Sequence, residues 1–321
     1  MLNFAANKSI ICVPRSVIYF YKVRRVKVVM DKLLPLIESL RPKQWTKNLL
    51  LFAGLIFSQN LFILSDLWRA AAGFVLFCTL SGGLYLLNDV IDIEKDRAHP
   101  VKKNRPVASG RLSIKAALTG FVILLPGSII LSFLITSQFG WIVVSYALLT
   151  LAYSLFLKNV VIMDVLIISV GFVLRAVAGA AVIQVTISLW LLVCTIFLAL
   201  FIALNKRRHE LVLLGEGAKR HRKNLVEYST FLLDLMITLV SACTLMAYAL
   251  YTTSEETIQK FGTKNLILTL PFVIYGIFRY LYLVHQRGKG GSPEKVLLED
   301  RELMIDIFLW IIAIGILIYI K

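Results

Sequence analysis

The sequence predicts an all-α polytopic membrane protein that crosses the bilayer nine times, and three observations carry that prediction. Of its 321 residues, 58% are hydrophobic, more than a soluble chain of this size ordinarily carries. The apolar residues fall in blocks of roughly 17 to 25, the length that spans a hydrocarbon layer. The 35 Lys and Arg, set against 19 Asp and Glu, gather between the blocks, as a positive-inside bias requires. A net charge of +16 otherwise suggests nucleic acid, but clustering between spans fits anionic partners at a membrane better, so no nucleic-acid role is expected.

The elements follow in chain order. Residues 1–29 set Arg15, Lys22, Arg24, Arg25 and Lys27 around an apolar patch that is too short for a span or a signal peptide. Residues 1–38 therefore read as a basic N-terminal arm, with Met30 as an alternative natural start, and residues 39–321 as the membrane domain. Arg41-Pro42-Lys43-Gln44-Trp45-Thr46-Lys47-Asn48 leads into a first span near 49–66. It reads as an interfacial anchor whose Lys43 and Lys47 are also phosphate candidates. A second span, 69–87, ends in the polar stretch 88–114. Spans near 115–135 and 139–157 are joined at Ser137 and Gln138, and Tyr153 to Lys158 closes the fourth. Asp164 begins the fifth, which carries Arg175. An Arg inside a span costs roughly 2.5 to 3.5 kcal/mol on insertion scales, so Arg175 is expected to face a polar cavity or a partner.

A sixth span, 187–204, runs into Asn205-Lys206-Arg207-Arg208-His209-Glu210. Three more follow near 230–252, 265–284 and 303–320, the last two separated by a loop marked by Gly288, Gly290, Gly291 and Pro293. Asp234 and Asp306 lie near span ends and are expected to be solvated and structural. Cys12, Cys78, Cys194 and Cys243 show no metal spacing and read as packing residues. His99, His209, His221 and His285 lie in or beside loops and read as solvated. The basic segments 15–47, 88–115, 158, 206–223 and 285–301 fall on one side of a nine-span chain, which predicts a cytoplasmic N-terminus, an outside C-terminus and both polar motifs on the cytoplasmic side of the inner membrane.

The chain is organised around Asn88-Asp89-Val90-Ile91-Asp92-Ile93-Glu94-Lys95-Asp96. If helical, Asp89, Asp92 and Asp96 stand at i, i+3 and i+7 on one face, where like charges repel without a cation. Mg²⁺ suits such a site because it takes oxygen ligands from one or two carboxylates and completes its shell with water and substrate phosphate. Mixed charge between apolar segments is more often a solvated loop. The ordered spacing at the end of an apolar block argues for chemistry instead, and the basic run from Arg97 to Arg105 stands ready for the rest of a phosphate group.

Asn88-Asp89-x-x-Asp92-x-x-x-Asp96, with Arg105-Pro106-x-x-Ser109-Gly110 and Tyr153 to Lys158, resembles the UbiA superfamily of intramembrane prenyltransferases over residues 39 to the end. Arg41 to Asn48, Asp96 to Pro106, Gly171-Phe172-x-Leu174-Arg175-Ala176 and Lys206-Arg207-Arg208-x-Glu210 are similar to one branch, the decaprenyl-phosphate phosphoribosyltransferases. The resemblance implies nine helices around a central cavity, with a diphosphate held by Mg²⁺, or Mn²⁺, on Asn88, Asp89, Asp92 and Asp96. It implies catalytic roles for the three aspartates, and substrate contacts from Lys43, Lys47, Asn88, Lys102, Arg105, Tyr153, Lys158, Asp164, Arg175, Lys206, Arg207 and Arg208. The implied substrates are phosphoribosyl pyrophosphate and a polyprenyl phosphate of decaprenyl type. Other superfamily members carry a second Asp-rich motif after the sixth span, where this chain has Lys206-Arg207-Arg208. Two alternatives stay open: prenyl transfer from a prenyl diphosphate to an aromatic or other acceptor, and a carrier or flippase for a phosphorylated lipid.

Overall fold

A computed structural model describes residues 33–214, 225, 227–288, 296, 297 and 299–320. The basic arm over 1–32, the Met30 start, Cys12, His221, Gly290, Gly291 and Pro293 lie outside the described residues. The helices are α1 (Phe52–Phe57), α2 (Leu64–Ile91), α3 (Ile93–Ala98), α4 (Ile114–Ile135), α5 (Ser137–Leu155), α6 (Met163–Val182), α7 (Leu189–Leu214), α8 (Thr230–Thr253), α9 (Glu255–Phe261), α10 (Leu270–Arg287) and α11 (Arg301–Tyr319). Eight helical segments among the described residues are long and apolar enough to cross a membrane, so the chain is a multi-pass membrane protein.

The first expected span differs. It is a 3₁₀ helix, Pro42–Leu51, continued by α1. Ten residues at about 2.0 Å and six at about 1.5 Å reach roughly 29 Å, close to the thickness of the hydrocarbon layer. It is not among the eight segments long and apolar enough to cross, so the expected first span is not seen as one continuous helix, and α2 begins earlier than the hydropathy pattern suggests. Packing explains the tight winding. A Cβ on Gly179 of α6 would fall 1.9 Å from the Leu51 carbonyl oxygen, and one on Gly54 would fall 2.8 Å from the Ala180 nitrogen. Two backbones meet there with no room for a side chain.

Side chains cap the starts of five of the eleven described helices. Ser113 accepts from Ala116 N, Thr136 from Phe139 N, Ser229 from Leu232 N and Ser254 from Thr257 N, while the Asp300 carboxylate accepts from Leu303 N. Each satisfies a donor that a helix N-terminus leaves open. Gly288 ends α10 in the left-handed region, at φ 65°. One core gathers Leu51, Leu55, Phe77, Leu80, Phe139, Val143, Ala178 and Val182 from the first half. A second gathers Val165, Phe201, Leu204, Leu233, Ile237, Ile277 and Leu303, so α6 contributes to both. Alternating helix direction brings the ends of α2, α5, α7 and α10 and the starts of α6, α8 and α11 to one face of the bundle, where the polar residues collect. Asp306 departs from expectation: it is 8% exposed, turned against α10 where Gly276 leaves space.

Candidate active site

The Asp-rich motif is not one continuous helix. α2 stops at Ile91, Asp92 takes φ −95° and ψ 13°, and α3 restarts at Ile93. This junction breaks the expected single face. Asp89 and Asp96 stay together, because Arg105 Nη1 donates to Asp89 Oδ1 at 3.1 Å and to Asp96 Oδ2 at 2.6 Å. Asp92 turns instead to Lys158, whose Nζ lies 2.8 Å from both carboxylate oxygens. Arg41 completes the layer by donating to Asp89 while its guanidinium carbon stands 4.5 Å above the Tyr85 ring. Three carboxylates thus meet three cations from three separate chain segments. Among the described residues no three His, Cys, Asp or Glu side chains converge on one point as a metal cage.

The loop that presents Arg105 is pinned at several places. Arg97 Nε donates to Ala108 O at 3.2 Å, and His99 Nδ1 accepts from the amides of Val101 and Lys102. Arg111 grips Glu38 through both terminal nitrogens and donates to Asn104 O at 2.7 Å. Asn88 and Lys102 are half-buried beside this layer, Lys43 is exposed, and Lys47 donates to Gln44 Oε1 at 3.3 Å.

A second polar layer lies at the junction of α6, α7 and α8. Asp164 is fully buried and accepts from Arg207 Nε at 2.5 Å and from the Tyr228 hydroxyl at 2.9 Å. Arg207 is 2% exposed and also donates to Glu210 and, at 3.3 Å, to the Tyr153 hydroxyl. Arg208 forms a two-pronged pair with Asp234, which His285 Nε2 also approaches at 3.3 Å. The sequence reading offered Arg207 and Arg208 as open phosphate ligands, whereas the structure engages both with carboxylates. Lys206 beside them is half-buried. Burial, aided by the neighbouring Asp164 carboxylate, pushes the Tyr228 hydroxyl up to about 12, so it stays protonated and can donate at neutral pH.

Arg175 sits deeper, 5% exposed. Its Nε donates to Asn48 Oδ1 at 2.8 Å, Nη1 to Gly171 O at 2.9 Å and Nη2 to the Tyr146 hydroxyl at 2.6 Å. The faces of Tyr146 and Phe172 lie within 4.8 and 5.2 Å of its charge. Neutral oxygens and aromatic faces hold it in place of a carboxylate, as the insertion cost of an intramembrane Arg demands.

The candidate residues read from the sequence left out Asn48, Tyr85, Tyr146 and Tyr228, and took Arg41 chiefly as part of an interfacial anchor. Arg41 carried a signal: it precedes Pro42, which disfavours the right-handed helical region for it, and its φ of 55° aims the side chain away from the anchor it was grouped with. Tyr146 and Tyr228 carried none, since neither an aromatic residue in an apolar block nor one just before a span shows the partner that its hydroxyl finds.

A family model described as the UbiA prenyltransferase family matches residues 49–312. The decaprenyl-phosphate phosphoribosyltransferase of Mycolicibacterium smegmatis is 34% identical over 295 residues, covering 88% of this chain and 92% of that one. The protein of the same name from Corynebacterium glutamicum is 35% identical over 296 residues, covering 89% and 87%. Among solved structures, a UbiA homologue from Archaeoglobus fulgidus bound to GPP and Mg²⁺ superposes with a TM-score of 0.68 at 20% identity, over 89% of this chain and all of that one.

Proposed function

The chain belongs to the UbiA prenyltransferase family, and on that premise we propose that it transfers the 5-phosphoribosyl group of phosphoribosyl pyrophosphate to a polyprenyl phosphate, releasing pyrophosphate. The observation that carries this reading is the layer of paired charges: Asp89, Asp92 and Asp96 held by Arg41, Arg105 and Lys158. A donor with a diphosphate and a separate 5-phosphate, meeting a lipid phosphate, brings several negative charges to one place. A site for it needs carboxylates to hold a divalent cation and cations to hold the remaining phosphates, both within reach. The relatives named above carry that activity in their names.

The donor set fits Mg²⁺, with Mn²⁺ as a substitute. It is all oxygen, and Arg105 Nη1 marks a point at which one cation already meets Asp89 and Asp96 together. Two carboxylates with substrate phosphate and water suit Mg²⁺. Asp89 and Asp96 would hold the ion, with Asn88 and Asp92 beside them. When bound, the ion neutralises charge developing on the departing diphosphate.

The chain's own residues do the rest. As phosphates enter, Arg41, Arg105 and Lys158 exchange carboxylate partners for phosphate oxygens, the two arginines through their planar forks. Lys43, Lys47, Lys102, Lys206 and Arg175 extend the positive field. Arg207 and Arg208 act through the carboxylates they hold in place. A phosphate monoester with its second pKa near about 6 is largely dianionic at neutral pH, so the lipid phosphate needs no strong base. Its oxygen forms the bond to ribose C1 as the bond from C1 to pyrophosphate breaks, and the electron pair leaves with pyrophosphate. The basic character of this face supports a reading with the reaction on the cytoplasmic side, the N-terminus inside and the C-terminus outside.

The purified protein, given labelled phosphoribosyl pyrophosphate and decaprenyl phosphate, is expected to form a labelled lipid and free pyrophosphate. Product formed instead from a prenyl diphosphate and 4-hydroxybenzoate would replace this reading with prenyl transfer. No covalent product from either pair would point to a lipid carrier.

A further inference from the structure

The short segment between α5 and α6 carries Lys158, and its geometry is strained. Ile162 has φ 67° and ψ −44°, and the Met163 amide donates across it to Val161 O at 2.8 Å. This is a γ turn of the positive-φ kind, which is rare and strained for any residue with a side chain. At a β-branched residue it is a true outlier that persists only where surrounding contacts over-determine it. One tyrosine hydroxyl supplies two such contacts. The Ile162 amide donates to the Tyr228 hydroxyl at 2.7 Å, and the same hydroxyl donates to Asp164 Oδ1 at 2.9 Å. Tyr228 is 4% exposed and directly precedes Ser229, the cap of α8, so it is fixed to a full-length helix. Four residues before Ile162, Lys158 is buried and clamps Asp92.

We infer that Tyr228 is a positioning residue: its hydroxyl holds the strained turn at Ile162 and thereby sets Lys158 against Asp92. The inference rests on the phosphoribosyl-transfer reading only for the kinetic consequence, not for the latch. Replacing Tyr228 with Phe removes an acceptor from the Ile162 amide and a donor from the buried Asp164 carboxylate, and the turn relaxes toward negative φ. Glycine populates positive φ without steric cost, so Ile162→Gly keeps the turn without the hydroxyl. A merely structural tyrosine predicts no such rescue.

The test reads Lys158 directly. Trinitrobenzenesulfonate labelling of the detergent-solubilised full chain, located by peptide mass spectrometry, is expected to find Lys158 protected in the parent. It should be about tenfold more reactive in Tyr228→Phe, matching the loss of one buried hydrogen bond, and protected again in Tyr228→Phe with Ile162→Gly. The KM for phosphoribosyl pyrophosphate should follow the same order, rising about tenfold and recovering, while kcat moves less. Lys158 protected equally in all three, or exposed in Tyr228→Phe with no recovery from glycine, overturns the inference. Hydrogen exchange on the parent provides a check that needs no variant: the Ile162 amide must exchange slowly, and exchange at the rate of the open loops overturns the latch. Because labelling and exchange need no turnover, the expected pattern in a protein that moves no phosphoribosyl group would refute the reaction and leave the latch standing.

Discussion

The two polar layers at the basic face contain the same kinds of group and differ in how they are closed. In the layer around Asp89, Asp92 and Asp96, Arg41 and Arg105 keep 16% and 25% of their side chains exposed, and both are carried by loop or 3₁₀ backbone. In the layer around Asp164 the central pair, Arg207 and Asp164, sits on long helices with side chains 2% and 0% exposed, while Arg208 and Asp234 at its rim keep 19% and 40%. Paired charges of the first kind can exchange partners, because water and ligand reach them. Those of the second kind cannot, since leaving either charge alone in a buried site is far more costly than the pair is worth. On the proposed function the first layer is the one that reacts, and the other bolts α6, α7 and α8 in the register that the first layer needs.

The strongest way to break this comparison is at Arg207. Arg207→Leu leaves the buried Asp164 carboxylate without its guanidinium partner, and is expected to destabilise the protein by about 3 to 5 kcal/mol, read as a large fall in the thermal midpoint in detergent. A variant that melts like the parent would show that the second layer is not closed. Asp96→Asn should do the reverse. Its partner Arg105 keeps Asp89, so stability holds, while turnover falls by about a hundred- to a thousandfold, the cost of removing one electrostatic element from a reacting site. Excess chelator should abolish the remaining activity, and full activity in chelator would sink the metal role of the motif.

Arg41→Lys is the next smaller perturbation. An ammonium cannot reproduce a planar fork that reaches Asp89 while stacking on Tyr85, so about a tenfold rise in the KM for phosphoribosyl pyrophosphate is expected, the lower end for a charge-assisted bond at a partly exposed site. Equal KM values in parent and variant would demote Arg41 to the interfacial anchor that its sequence neighbourhood first suggests.

How much of this was legible in the sequence follows from the range of the forces involved. Hydropathy blocks and the Asp89, Asp92, Asp96 spacing are local properties, so the helical bundle could be read directly and the motif singled out as a candidate. The α2–α3 break at Asp92 could not, because nothing in Val90-Ile91-Asp92-Ile93 marks it; it shows only where Lys158, 66 residues away, draws the carboxylate aside. Arg207 and Arg208 looked like free cations for the same reason. Their carboxylates, Asp164 and Asp234, are 43 and 26 residues distant, and composition near a span end cannot distinguish a phosphate ligand from half of a buried ion pair. The expected first span was not legible either, because hydropathy registers apolar residues and not the close backbone approach at Gly54 and Gly179 where this segment packs on α6.

The smallest expected effect sharpens the comparison from the open side. Arg111 and Glu38 are about half-exposed, at 48% and 51%, yet they tie helical residues 33–39 to the loop that presents Arg105. An exposed ion pair contributes about 0.2 to 1 kcal/mol, since water and salt screen it. The loop has other holds, Arg97 on Ala108 and His99 on two amides, so losing one leaves its course largely set. Glu38→Ala should therefore raise the KM for phosphoribosyl pyrophosphate by less than about fivefold, the factor equivalent to 1 kcal/mol. The difference should shrink as ionic strength rises, because separations beyond about 8 to 10 Å are screened at physiological salt and exposed pairs weaken further above it. If Glu38→Ala were instead as damaging as Arg41→Lys, and stayed so in high salt, the Arg105 loop would hang on a single surface contact. The reactive layer would then be placed from the outside rather than by the helices beneath it.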